Sequence, residues 1–231
     1  HSISRKIGFR HVAQVPNRSK ATILREKQSI VRLYQARGFI IRDIHADNEF
    51  ECVRENLLPI DMHIVPADSH VGEIERSIRT LKERIRSTVH GLPFKRLPKL
   101  LIKELTKHGV QCLNRFPWKN GVSQDTSPSS IVTGKPTPDF NNMRIEFGAY
   151  AQVFEDNDPT NTNKSRSVGT IALTATGNDS GDYYFMSLAT GSRISRHNWT
   201  ELPITDTAIA RVEALAANEG QPLVQEQGLV V

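Results

Sequence analysis

Val71-Gly-Glu-Ile-Glu-Arg-Ser-Ile-Arg-Thr-Leu-Lys-Glu-Arg-Ile-Arg86 reads as one amphipathic helix. Ile74, Ile78, Leu81 and Ile85 recur at offsets of +4, +7 and +11, a single apolar stripe at the helical period. About 100° round the helix, Glu75, Arg79, Lys82 and Arg86 recur at the same offsets, so a carboxylate heads a cationic stripe. A stripe of this kind is ordinarily a solvated face laced with i,i+4 pairs. A second acidic element, Ile44-His-Ala-Asp47-Asn-Glu-Phe50, closes an apolar run upstream and supplies a companion carboxylate.

Working outward, Ser4 to Val15 mixes Ile7, Phe9 and Val12 with basic residues and is expected to be a strand. Ser19 is placed to cap a helix over Ala21 to Arg37, with Ile23, Ile30, Val31 and Tyr34 inward and Gly38 closing it. Phe39 to Ile44 is a short apolar strand. A helical connection between two strands predicts parallel pairing between them, hence an α/β core. Glu51 to Leu58 suits two helical turns, Met62 to Pro66 another strand, and Ala67 to His70 a polar loop. The opening helix ends near Gly91 and Pro93. A further helix is expected over Pro98 to Asn114, with Leu101, Leu105 and Cys112 inward, and a short one at Ser127 to Val132.

Near Gly148 the composition changes to strand and turn. Strands are expected at Ala149–Phe154, Val168–Leu173, Tyr183–Leu188 and Arg193–Arg196, with turn residues between them. Short strands at that spacing predict a small barrel of roughly 60 residues. Ala208 to Ala217 suits a terminal helix, followed by a polar, Gln-rich tail expected to be disordered.

Charge divides the chain in the same place. Residues 1–147 hold 25 of the 30 Lys and Arg and 15 of the 25 Asp and Glu, a net +10, whereas residues 148–231 are at −5. Ten cationic residues fall within 76–107 against two glutamates, the footprint of a polyanionic partner. No apolar run is long enough to span a bilayer. Cys52 and Cys112 are too few for a four-cysteine zinc site or a disulfide framework, so a reducing compartment is expected. A chain starting at His1 rather than Met is expected to be a piece of a longer polyprotein.

Four segments in order resemble a known family. Asp47-Asn48 at a strand end, followed by Gly72-Glu-Ile-Glu75-Arg76-x-x-Arg79-Thr80-Leu81, is similar to the integrase core of copia-type retrotransposon polyproteins. Ser127 to Gly134 resembles the segment that closes that core. Phe147-Gly-Ala-Tyr150 resembles the entry to the SH3-like barrel that follows it, and Gly191 with Ser195-Arg196 and Trp199 resembles the barrel's last hairpin. The resemblance implies an α/β RNase H-like core over 1–146, lacking its first strand, a small all-β SH3-like barrel over 147–206, and a terminal helix and tail over 207–231.

It also implies a polynucleotidyl transferase whose three carboxylates hold two Mg2+ or Mn2+ ions for in-line phosphodiester chemistry. Asp47 matches the second Asp and Glu75 the Glu, as catalytic residues and metal ligands. Glu73, about 200° from Glu75 on the helix, is the rival. Arg76, Arg79, Lys82 and Arg86 match DNA contacts, and Lys95, Arg96, Lys99, Lys103 and Lys107 would extend the track. The implied partners are element and target DNA and further copies of the chain, with no membrane and no small-molecule substrate. The family's location is the nucleus and a cytoplasmic particle.

Two departures set a competing expectation, a degenerate module that binds nucleic acid without catalysis. The family's first Asp belongs on a strand before residue 4, and Asp43 sits too near Asp47 to replace it. Only 27 residues separate Asp47 from Glu75, fewer than the family's spacing. His45, His63 and His70 lack a cysteine pair at zinc-ligand spacing and read as ordinary loop or strand histidines. Trp118 and Trp199 read as packing residues, and Tyr183, Tyr184 and Phe185 should alternate faces of a strand.

Overall fold

The computed structural model describes residues 1–66, 72–135, 143–154 and 165–224. The loop expected at 67–70, including His70, lies outside them, as do the tail residues after 224. The chain is mixed α/β and divides into two compact units, one of His1–Leu81 with Val110–Pro138 and one of Lys82–Gly109 with Asp139–Val231.

In the first unit, β1 (Ser2–Ile3) and β2 (Arg10–His11) form a minimal antiparallel pair rather than the single strand expected over 4–15. Gly8 causes the reversal. Its φ is +75°, its N–H donates to the Ser4 carbonyl at 2.8 Å, and a Cβ there would lie 2.4 Å from the Trp118 ring. Beyond the turn, Arg10 has a side chain for a partner. Its N–H donates to Asn114 Oδ1 at 2.8 Å, and Asn114 Nδ2 donates to its carbonyl at 2.7 Å. One amide thus satisfies both backbone groups that a neighbouring strand would have taken.

Helix α1 (Lys20–Gln35) begins where Ser19 predicts it, with the Ser19 hydroxyl accepting from the Thr22 N–H. Ile23, Val31 and Tyr34 are buried along its inner face. Burial pushes the Tyr34 hydroxyl up to about 12. The expected parallel pairing is present, but between other strands. β3 (Asp43–Asp47) pairs with β4 (Asp61–Val65), and two short 3-10 turns, Asn48–Val53 and Glu55–Leu57, connect them. The strand expected over Phe39–Ile44 therefore starts later. Phe39 and Ile41 pack with Tyr34 and Val132 instead of joining a sheet. The inner face of β3 and β4, with Ile44, Ala46, Met62 and Ile64, meets Ile23, Val53 and Leu57.

Helix α2 (Gly72–Gly91) and helix α3 (Lys99–Arg115) contribute residues to both units. The short α4 (Pro128–Thr133) is bounded as its sequence predicts. Ser127 Oγ accepts from the Ser130 N–H, and Gly134 closes the helix at φ +70°.

The second unit is built on a five-stranded antiparallel sheet of order β8-β7-β6-β5-β9. Its strands are β5 (Tyr150–Phe154), β6 (Ser167–Ala175), β7 (Tyr183–Ser187), β8 (Arg193–Arg196) and β9 (Trp199–Glu201). The last adds a strand to the four expected, in the segment where Trp199 resembles part of the barrel's last hairpin. Trp199 opens it, packing 5.0 Å from the Tyr183 ring and 5.5 Å from Phe185. Tyr183 and Phe185 are buried, whereas Tyr184 lies on the other face with the Arg193 guanidinium 4.3 Å from its ring centroid. Helix α5 (Asp206–Asn218) is capped by Thr205, and its Arg211 donates to the Leu188 and Ala189 carbonyls. Among the described residues no helix is long and apolar enough to cross a membrane.

Gly148 supplies the turn into β5. Its φ is +88°, and a Cβ would lie 2.2 Å from the Leu92 Cδ2. The leucine tip can move aside, so the backbone conformation sets the cost. Gly148→Ala is expected to destabilise the protein by about 2 kcal/mol, read as a lower denaturation midpoint at unchanged slope.

Candidate functional site

The strand alternation of β3 and β4 sends Asp43, His45 and Asp47, with Asp61 and His63, to the exposed face. In-register parallel pairing sets Asp43 beside Asp61 and His45 beside His63. His63 Nε2 lies 3.6 Å from Asp43 Oδ1 and 3.5 Å from Asp61 Oδ2. The His45 and His63 rings lie with centroids 5.0 Å apart, tilted by 32°. Arg5 Nη1 lies 3.1 Å from His45 Nε2, and Arg5 Nε donates to Glu73 Oε2 at 2.6 Å. A guanidinium can only donate, so in this contact His45 Nε2 is the acceptor.

Asp47 ends β3, exposed, at the entrance to the first 3-10 turn. Lys27 of α1 stands close by, 4.2 Å over the Phe50 ring. Burial pulls the Lys27 ammonium below its usual range, and the Asp47 carboxylate opposes that shift.

Along α2, Ser77, Leu81, Ile85 and Val89 are buried, while Ile74 and Ile78 are half-buried. The inward seam therefore includes a serine that periodicity does not pick out. Ser77 Oγ accepts from Arg10 Nε at 3.1 Å and lies 2.9 Å from His1 Nε2. Glu75, Arg76, Arg79, Lys82 and Arg86 are all exposed, with Glu75 in the first turn. Glu73 is engaged by Arg5.

The basic track does not extend unchanged to Lys107. That ammonium donates to Glu104 Oε1 at 2.7 Å and belongs to a buried network of the second unit.

No family model and no curated protein matches the chain.

Among the described residues, the group of three or more metal-capable side chains is Asp43, Asp61 and His63, and it contains neither Asp47 nor Glu75. The sequence nonetheless carries a signal for Asp43 and His63. Asp43-Ile-His45 and Asp61-Met-His63 repeat one Asp-x-His pattern, and an in-register parallel pair brings two such patterns side by side.

Proposed function

We propose that the chain is part of a retrotransposon integrase that binds DNA through α2 and contributes Asp47 and Glu75 to a metal-dependent strand-transfer site. One observation carries this reading. A single helix exposes Glu75, Arg76, Arg79, Lys82 and Arg86 while burying Leu81, Ile85 and Val89. The cations are thus available to phosphate, and a carboxylate stands at the head of their row. Asp47, exposed at the end of a parallel strand, supports the reading as the second acidic group. Carboxylate oxygens suit hard ions such as Mg2+ or Mn2+, which would polarise the phosphodiester and stabilise both attacking and leaving oxygens. In this reading residues 1–146 are the RNase H-like core and residues 147–206, which carry the five-stranded sheet, the SH3-like barrel. Assembly into a multimer is part of the same proposal.

The chain's own contribution is to place charge. Arg79 and Lys82 follow Glu75 on its face by one and two turns, so a bound phosphate would lie beside the carboxylate. Duplex DNA binding tests this, followed by fluorescence anisotropy. With two to four of these cations on phosphate, affinity should fall about ten- to a hundredfold between 50 and 200 mM salt. The double substitution Arg79→Glu, Lys82→Glu should remove most of that dependence. A flat salt response in the wild type would reject the proposal.

A second reading, a degenerate DNA-binding module without catalysis, is favoured by one observation. Only 27 residues separate Asp47 from Glu75, fewer than the family's spacing. Both readings predict the same salt response and part only on strand transfer.

A further inference from the structure

We infer that Asp43, Asp61 and His63 form a binding site for a first-row transition-metal dication of the zinc type, separate from the carboxylates assigned to strand transfer. The inference stands on the geometry of β3 and β4 and does not rest on the integrase reading.

The distances carry the argument. His63 Nε2 is 3.6 Å from Asp43 Oδ1 and 3.5 Å from Asp61 Oδ2. Those separations exceed the roughly 2.7–3.2 Å of an N–H···O hydrogen bond, so the imidazole is not simply bonded to either acid. They do match the edge of a coordination polyhedron. Ligands about 2.1 Å from a tetrahedral ion are about 3.4 Å from one another. One donor atom from each of the three residues lies within 4.8 Å of the others. The in-register pairing that sets Asp43 beside Asp61 also crowds two carboxylates, a repulsion that a dication between them reverses.

The donor set selects the ion. Two carboxylates and one imidazole suit zinc, cobalt or manganese better than magnesium, which prefers oxygen donors and retains its water. Three protein ligands on an exposed face leave a fourth position for water or another oxygen donor.

The surroundings hold His63 in place. The His45 ring lies against it, centroids 5.0 Å apart and tilted by 32°, and Arg5, which Glu73 anchors, contacts His45 in turn. This chain of contacts restricts the His63 ring on one side. Asp43, Asp61 and His63 would tie β3 to β4 through the ion, one strand end away from Asp47.

The test uses the full chain, freed of metal by chelation and titrated with Co2+ as the visible probe for zinc. A visible absorption band saturating at one equivalent is expected, and excess Zn2+ should abolish it while Mg2+ at the same concentration should not. Asp61→Asn and His63→Ala should each weaken binding at least about tenfold, whereas His90→Ala, on exposed α2 surface, should not. The substituted side chains are exposed, and far-ultraviolet circular dichroism verifies that the variants fold. Absence of a band at millimolar Co2+ would overturn the site, as would binding that survives both Asp61→Asn and His63→Ala. Loss of the band in Asp47→Asn, Glu75→Gln with retention in His63→Ala would assign the ion to the strand-transfer carboxylates and also overturn it.

Discussion

Glu104→Ala is expected to destabilise the second unit by about 3 kcal/mol. Glu104 lies on α3 and keeps only 3% of its side chain exposed, yet it carries three partners. Lys107 Nζ donates to it at 2.7 Å, Arg193 Nη1 at 3.1 Å and the Thr174 hydroxyl at 3.2 Å. The partners come from one turn along the helix, from β8 and from β6. Removing the carboxylate leaves a cavity and a buried Thr174 hydroxyl without this acceptor, a loss of about 1–3 kcal/mol for the hydroxyl alone. Breaking a buried ion pair from one side usually costs about 3–5 kcal/mol because the orphaned charge stays buried. Here the Lys107 and Arg193 side chains remain 34% and 41% exposed, so both cations can turn to water and the total falls at the low end. Glu104→Gln keeps the shape and an acceptor for Thr174 and should cost less, about 1–2 kcal/mol. The measurement is chemical denaturation in a Trp118→Phe background, so that Trp199 reports the second unit. A change below about 0.5 kcal/mol in Glu104→Ala would show that the network contributes nothing net.

That network marks where sequence reasoning stops. The elements it located are those whose signals lie within a few residues. Ser19 announces α1, Ser127-Pro128 and Gly134 bracket α4, and the stripe through Leu81 and Ile85 gives α2 its inward face. Four of the strands after Gly148 follow from alternation and turn residues, and β9 escaped because it is only three residues long. The failures concern groups that meet across long stretches of chain. The Arg10 backbone is satisfied by Asn114, 104 residues on, which no local pattern encodes. Ser77 and Glu104 interrupt apolar seams with polar side chains that become intelligible only beside Arg10 and Arg193. Strand–helix–strand order predicts a parallel pair, but the pair forms between β3 and β4 because Gly8 turns the N-terminal segment back on itself. Of the candidate site, the helix face was legible because periodicity displays it. The gathering of Asp43, Asp61 and His63 was not, because it depends on register, and register is a property of two strands.

The same geometry discriminates between Glu75 and its neighbour. Under the proposed function, and in a chain supplied with a third carboxylate on an added strand, Glu75→Gln is expected to reduce strand transfer about a thousandfold, while Glu73→Gln stays within about threefold of wild type. Glutamine preserves the volume and removes the anionic oxygen that a hard dication requires. Loss of several kcal/mol of transition-state charge stabilisation corresponds to about three powers of ten in rate. Glu73 points elsewhere. It lies about 200° round the helix from Glu75, and its carboxylate is taken by Arg5 at 2.6 Å, a half-exposed pair of small energetic value. Glu75 shares its face with Arg79, Lys82 and Arg86, all exposed, so under the proposed function phosphate drawn to those cations would arrive beside Glu75. Initial rates with labelled duplex ends and Mn2+ measure the effect, with DNA affinity of each variant as the control for binding. A thousandfold loss in Glu73→Gln and none in Glu75→Gln would exchange the two roles. An inactive wild type that still binds DNA with a steep salt dependence would decide for the non-catalytic module, since the cations of α2 act without the carboxylate.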